Sequence, residues 1–196
     1  MSKLYFRYGA MNCGKSTNLL QAAYNYEERG MNVLILKPQI DTKGNDKIIS
    51  RLDVKRKVDH LIHPSTNIFC LINSVLETEK VKKPIDCILI DEAQFLKSEQ
   101  VDQLMQIVVK LNIPVICYGL RTDFKTNGFE GSTRLLQLAH TIEELKTICR
   151  CGKKALFNAR KVNGEFTLKG EQVAIDMENN IEYESLCADC YYKILK

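Results

Sequence analysis

Runs of apolar residues along this chain alternate between two patterns. Lys3–Tyr8 is a short, largely apolar run and reads as a strand. From Ser16 to Arg29 the apolar residues Leu19, Leu20, Ala23 and Tyr26 recur at helical spacing, and Gly30 ends the helix. Asn32–Lys37 is apolar again directly after a helix, which predicts a second, parallel strand. Ser65 to about Val81 predicts a helix. After Pro84 the run Ile85–Ile90 is a buried strand ending in Asp91-Glu92. Ser98–Leu111 is an amphipathic helix with Ser98 as its N-cap, and Ile113–Leu120 is a further buried strand. Strands alternating with helices predict an α/β fold, a doubly wound parallel sheet with helices on both faces. Its ligand should lie at the C-terminal ends of the strands.

Three stretches depart from this rhythm. Pro38–Lys57 is polar, contains Gly44 and turns basic from Arg51 to Lys57, so it reads as a long surface loop. Such loops are lids or binding loops, or plain solvated connections. Arg121–Phe129 leaves the strand end where a ligand would sit. Its Phe124 and Phe129 either wall a pocket for a flat ligand or tuck onto the core. Beyond Cys149 the chain becomes mostly β, with Val162-Asn163-Gly164-Glu165 marking a hairpin between Leu156–Lys161 and Phe166–Lys169. The expected division is residues 1–148 for the sheet domain and 149–196 for a small appendage.

Length and composition narrow the picture. The chain has 196 residues, 45% of them hydrophobic, enough for one substantial packed domain with a small addition. A net charge of +4 implies no particular partner, and Lys55-Arg56-Lys57 is too short a basic run to argue for nucleic acid. No apolar run reaches the length of a membrane span, and Met1-Ser2-Lys3 leads straight into the first strand, so neither a membrane segment nor a signal peptide is expected. Of eight cysteines, Cys13, Cys70, Cys87 and Cys117 stand singly, as reduced thiols do. The expected setting is the cytoplasm.

Candidate chemistry begins at Gly9-Ala10-Met11-Asn12-Cys13-Gly14-Lys15-Ser16, which matches G-x-x-x-x-G-K-[S/T]. A polyphosphate is a dense, hydrated anion, and replacing its water takes many donors close together. Two glycines let successive backbone N–H groups curl toward one oxygen cluster. Lys15 adds a charge for the β- and γ-phosphates, Ser16 a hydroxyl for Mg²⁺, and the following helix its positive end. Asp91, at the end of a buried strand, suits the second Mg²⁺ contact, and Glu92 beside it can take a proton from a nucleophile. Cys149-x-Cys151 and Cys187-x-x-Cys190 suggest a closed structural Zn²⁺ site. Disulfides are the rival, which a reducing compartment disfavours. His60, His63 and His140 are scattered and are assigned no metal.

Together these features resemble the thymidine kinases of the type shared by bacteria, poxviruses and the animal cytosol. The resemblance covers nearly the whole chain: the Met11-containing P-loop, Asp41, Asp91-Glu92-Ala93-Gln94-Phe95, the Leu120–Phe129 loop and the cysteine pairs. It implies a RecA-like P-loop sheet with a zinc-stapled, mostly β lasso domain. It implies transfer of the γ-phosphate of ATP to the 5′-hydroxyl of thymidine or deoxyuridine, inhibition by dTTP, and a homotetramer. Glu92 is then the general base, Asp91 and Ser16 the Mg²⁺ contacts, and Asp41, Asp91, Glu92, Ala93 and Gln94 part of the ATP site. Met11, Phe95, Leu120, Phe124 and Phe129 line the base pocket. The lasso covers the thymine through backbone groups of Val173, Ala174, Ile175, Asp176 and Met177, with Tyr183 reaching the substrate. Three departures stand out: Lys43 where the family usually has Arg, Asn158 where a Thr is common, and a longer stretch at Glu178–Ile181. Two other classes share parts of the pattern. A RecA-type ATPase acting on nucleic acid would add stacking aromatics on a basic surface. A zinc-binding interaction module would bind ATP without turnover.

Overall fold

A computed structural model of the chain describes residues 1–39, 46–49, 54–78, 84–173 and 180–194. Its first unit is a six-stranded sheet formed by β1 (Leu4–Tyr8), β2 (Val33–Pro38), β5 (His60–Ile62), β6 (Cys87–Ile90), β7 (Val115–Gly119) and β8 (Thr141–Glu144). The strand order is β5-β2-β6-β7-β1-β8, and every pairing is parallel.

Alternation along the strands explains why both faces must be covered. Leu34 and Leu36, Ile88 and Ile90, Val115 and Cys117 point to one face. There they meet α2 (Ile68–Glu77), α3 (Ser98–Gln106) and α4 (Glu130–Leu138) through Ile68, Ile72, Val101, Leu104 and Leu135. Val33 and Ile35, Cys87 and Leu89, Ile116 and Tyr118 point to the other, where α1 (Lys15–Glu28) buries Leu19 and Ala23. With both faces covered, the inner strands carry nearly continuous apolar sequence.

The predicted strands and helices are present, with several differences. The helix expected from Ser65 begins at Ile68, because the Asn67 side chain accepts the N–H of Cys70 and caps it. The N-cap of α3 is Lys97 rather than Ser98. The Gln100 side chain accepts the Lys97 N–H, and the Ser98 N–H goes to Glu130 across the helix pair. The expected surface loop 38–57 contains an antiparallel ribbon of β3 (Lys47–Ile49) and β4 (Lys55–Lys57). The ribbon buries Ile48, and Val58 just after it, against the α1 face. The basic run is thus a strand, and Arg56 makes a two-bond ion pair with Glu27 of α1. Residues 40–45 and 50–53 of that stretch lie outside the described residues. Strands β5 and β8 and helix α4 carry no strong signal in sequence. They are short, and β8 is nearly all exposed.

The second unit is a three-stranded antiparallel sheet ordered β10-β9-β11, made of β9 (Phe157–Val162), β10 (Glu165–Thr167) and β11 (Ile181–Leu186). The predicted hairpin turn is Asn163-Gly164, both at positive φ (52° and 84°), as a two-residue turn requires. The sheet has its own small core with α5 (Ala188–Ile194): Phe157, Ala159, Leu186 and Tyr191 pack around the cysteines. Among the described residues, no helix is long and apolar enough to cross a membrane.

Candidate active site

The strand order places the motifs. β6, β7 and β1 are neighbours, so the segments leaving their C-terminal ends share one edge of the sheet: Asp91-Glu92, Leu120 and the P-loop. There a cleft of about 680 Å³ is lined by Met11 to Ser16 together with Glu92, Leu120, Leu145 and Ile49.

The P-loop turns under close constraint. A Cβ on Gly9 would lie 2.4 Å from the Leu145 carbonyl oxygen and 2.5 Å from the Cys13 sulfur, so only glycine fits. Gly14 is left-handed (φ 78°) at the N-cap of α1, and so is Asn12 (φ 67°). The ammonium of Lys15 donates to the carbonyls of Ala10 (2.9 Å) and Gly9 (3.3 Å), which holds the cation inside the loop.

Asp91 is almost wholly buried, and its N–H donates to Leu36. Burial, with the Glu92 carboxylate beside it, pushes the Asp91 carboxyl up to about 7 against the pull of Lys37 and Lys15. Glu92 sits in the left-handed region (φ 51°), a strained position for a residue with a β-carbon, and faces the cleft. Gln94 fixes its rotamer. The Gln94 amide donates to Glu92 at 2.5 Å while its oxygen accepts the N–H of Leu120 at 3.0 Å. Gln94 and Ala93 are themselves buried behind the cleft. Ser16 and Glu92 line the cleft, while Asp91, one residue before Glu92, is buried behind it. Hydroxyl and carboxylate oxygens are hard donors of the kind that suit a divalent cation carried with a polyphosphate.

The aromatic residues fall into two groups. Phe95 and Phe129 pack edge to face at 5.5 Å. Phe124 is buried beneath the guanidinium of Arg160, which also receives Tyr183: its Nε donates to the Tyr183 hydroxyl at 2.9 Å. Val173 is exposed at the end of the described segment. Asp41, Ala174, Ile175, Asp176 and Met177 lie outside the described residues.

The four predicted cysteine ligands converge: the sulfurs of Cys149, Cys151, Cys187 and Cys190 all lie within 4.8 Å of one another. A tetrahedral zinc–thiolate site needs sulfurs about 3.8 Å apart, given a Zn–S bond of about 2.3 Å. The donors therefore fit that ion. Burial would raise the Cys149 thiol, yet the backbone N–H groups of Cys151 and Cys187 bring it down to about 6. Cys190 is pushed up to about 12 by its hydrogen bonds to the Cys151 and Cys187 sulfurs. No histidine joins the cluster.

Ser185 and Arg160 escaped the sequence reading, and Asn158 enters it only as a departure from the family. Asn158 accepts the N–H of Met11 at 2.7 Å, and the Ser185 hydroxyl donates to the Met11 carbonyl at 2.5 Å. Arg160 lies 3% exposed on the same face of β9 as Asn158, while Phe157 and Ala159 face the cysteine core. The available signal was two polar residues at i and i+2, alternating with the apolar Phe157 and Ala159. Nothing local says that this polar face meets the P-loop.

Comparison with known proteins gives a consistent result. Residues 2–191 match the profile of the thymidine kinase family. A thymidine kinase of Vibrio cholerae serotype O1 is 48% identical over 197 residues, covering 100% of this chain and 99% of that protein. One from Haemophilus influenzae is 50% identical over 189 residues, covering 95% and 94%. One from Rhodopirellula baltica is 49% identical over 189 residues, covering 95% and 86%.

Proposed function

The chain belongs to the thymidine kinase family, and on that premise we propose that it transfers the γ-phosphate of ATP to the 5′-hydroxyl of thymidine, and of deoxyuridine, giving dTMP and ADP. The observation that carries the reading is that Glu92, Leu120 and the P-loop from Met11 to Ser16 line one cleft. A base, an apolar wall and a phosphate cradle are then within reach of one substrate pair.

In this reading Gly9, Ala10, Met11, Asn12, Cys13, Gly14, Lys15 and Ser16 bind the triphosphate. Lys15 exchanges its loop carbonyls for phosphate oxygens. Asp91 and Ser16 would hold Mg²⁺, which when bound neutralises charge on the phosphate oxygens. The 5′-oxygen attacks the γ-phosphorus, the bond from that phosphorus to the bridging oxygen of ADP breaks, and Glu92 accepts the hydroxyl proton. Gln94 holds Glu92 in the left-handed pose that aims it at the cleft. The base pocket is built from Met11, Phe95, Leu120, Phe124, Phe129 and Tyr183, with Val173–Met177 closing over it and Asp41 on the ATP side. A closed pocket keeps water from competing for the phosphoryl group. Backbone groups can read the O2, N3–H and O4 edge of thymine, whereas cytosine offers a donor where an acceptor is required.

The cysteine cluster would hold a structural Zn²⁺, and residues 149–196 act as the lasso domain beside the 1–148 kinase domain. The separate core around Phe157, Leu186 and Tyr191 supports that boundary. Feedback inhibition by dTTP, a homotetrameric assembly, a cytoplasmic site of action and a role in nucleotide salvage for DNA synthesis complete the proposal. The test is to incubate purified protein with ATP, Mg²⁺ and each nucleoside and assay monophosphate and ADP. Thymidine should be turned over far faster than deoxycytidine or purine nucleosides. Equal turnover of thymidine and deoxycytidine would sink the proposal.

A further inference from the structure

Arg160 is a buried cation whose hydrogen-bond partners among the described residues are all neutral groups. An ion taken out of water without a counter-charge is costly unless its donors and its face are matched. Here they are. Nη1 donates to the Glu171 carbonyl at 2.8 Å, Nη2 to the Gln172 carbonyl at 3.2 Å, and Nε to the Tyr183 hydroxyl at 2.9 Å. The guanidinium carbon lies 3.6 Å from the centre of the Phe124 ring, flat stacking that a planar cation can make and an ammonium cannot. A second set of bonds links the same two segments. Asp123 accepts the N–H groups of Lys125 and Asn127, both at 2.8 Å, which sets the turn that carries Phe124. Its other oxygen accepts the Gln172 side-chain amide at 3.3 Å.

The geometry points to Arg160 as a positioning residue for the nucleoside: its fork holds the backbone at Glu171–Gln172 against the loop of Phe124 while its flat face fixes the ring of Phe124. This deepens the proposed function and rests on its assignment of Phe124 to the base pocket. The phosphate loop has its own supports at Asn158, Ser185 and Lys15. The role of Arg160 is therefore specific to the nucleoside side.

The test compares wild type with Arg160→Lys, which keeps the charge and loses the fork, and Gln172→Ala, which leaves Arg160 and the pocket residues in place and removes the side-chain bond to Asp123 that ties the same two segments. Folding and zinc content are checked by thermal melting and elemental analysis. The Michaelis constants for thymidine and ATP are then measured separately. Misplacing a reacting group by about 1 Å can cost about 10²-fold. Arg160→Lys should accordingly raise the constant for thymidine by about tenfold or more and leave that for ATP within about twofold. Gln172→Ala should give a smaller shift of the same kind, about threefold, and it decides whether this tie between the two segments positions the nucleoside if Arg160→Lys does not fold. An unchanged thymidine constant in a folded variant, or equal rises for both substrates, overturns the inference while leaving the kinase reading intact. Wild-type protein inactive on thymidine overturns both.

Discussion

Asn158 Oδ1 accepts the backbone N–H of Met11 at 2.7 Å, so a strand of the cysteine-bearing sheet grips the phosphate loop from 147 positions along the chain. Its register partner across the β9–β11 ladder, Ser185, takes the carbonyl of the same residue. The two units of the fold therefore meet through a hydrogen-bonded clamp on one residue of the P-loop. Removing either partner leaves a backbone group of Met11 poorly satisfied, a cost of about 1–3 kcal/mol. Asn158→Ala and Ser185→Ala should each lower the melting temperature, by roughly 2–10 °C for a chain of this size. Both should raise the Michaelis constant for ATP. Because they act on one residue, the double variant should be non-additive. Strict additivity of the two melting shifts would argue that the clamp does not act as a unit.

Glu92 is held in a strained backbone conformation and by the Gln94 amide. Gln in its place keeps the size and cannot accept the proton. Glu92→Gln should lower kcat by about 10²–10⁴-fold with ATP affinity nearly unchanged. Retention of more than about a tenth of kcat, with chemistry shown to be rate-limiting, removes Glu92 from the role of base. Gln94→Ala should cost less, since Glu92 loses its orientation and keeps its basicity.

The cysteine cluster should hold one zinc ion per chain. The small core of that sheet packs around the cysteines, so bound metal should add to its stability. Stripping the metal with a chelator should lower the melting temperature and release zinc in measurable amount. Ser185 lies two residues before Cys187 and bonds to Met11, so metal loss reaches the phosphate loop. The constants for ATP and thymidine should rise together on chelation. Elemental analysis finding no zinc in fresh protein would reject this.

Glu130 joins α4 to the start of α3. It accepts the Ser98 N–H at 2.8 Å and pairs with Lys97 at 3.2 Å. The Ser98 bond, and then Lys97, hold its carboxyl below the ordinary carboxylate range. A folded value below the unfolded one means that the contribution is present above about pH 4.3 and fades as pH falls through the lowered folded value. Glu130 is half-exposed, so solvent screening limits the effect to about 0.5–1 kcal/mol. Glu130→Gln should lower the urea midpoint at about pH 7, and the gap from wild type should close on acidification. A gap that is constant with pH would show that the charge contributes nothing.

The central sheet was legible because its causes are local. Runs such as Cys87–Ile90 are apolar on both faces, and that is the signature of a strand covered by helices on each side. The P-loop was legible because phosphate chemistry demands glycines, a lysine and a hydroxyl at fixed spacing within one turn. The cysteine cluster was legible because two close pairs of thiols are the donor set that a tetrahedral metal site takes. Elements with weak local signals were missed. β5 and β8 are edge strands of three and four residues, stabilised by pairing with β2 and β1 rather than by propensity. The β3–β4 ribbon is polar in sequence and is held by Ile48 and by the Arg56–Glu27 pair.

What the chain alone determined, then, was the inventory of chemistry and the order of strands and helices in sequence. Tertiary structure decided which groups meet. It brought β6, β7 and β1 side by side so that Glu92 and Lys15 border one cleft. It turned the polar face of β9 toward Met11 and Phe124, and it left Arg160 buried among carbonyls and aromatic rings. The docking of the two sheets runs through hydrogen bonds of Met11 with Asn158 and Ser185, 147 and 174 positions away. No period, cap or spacing within a short window carries that information.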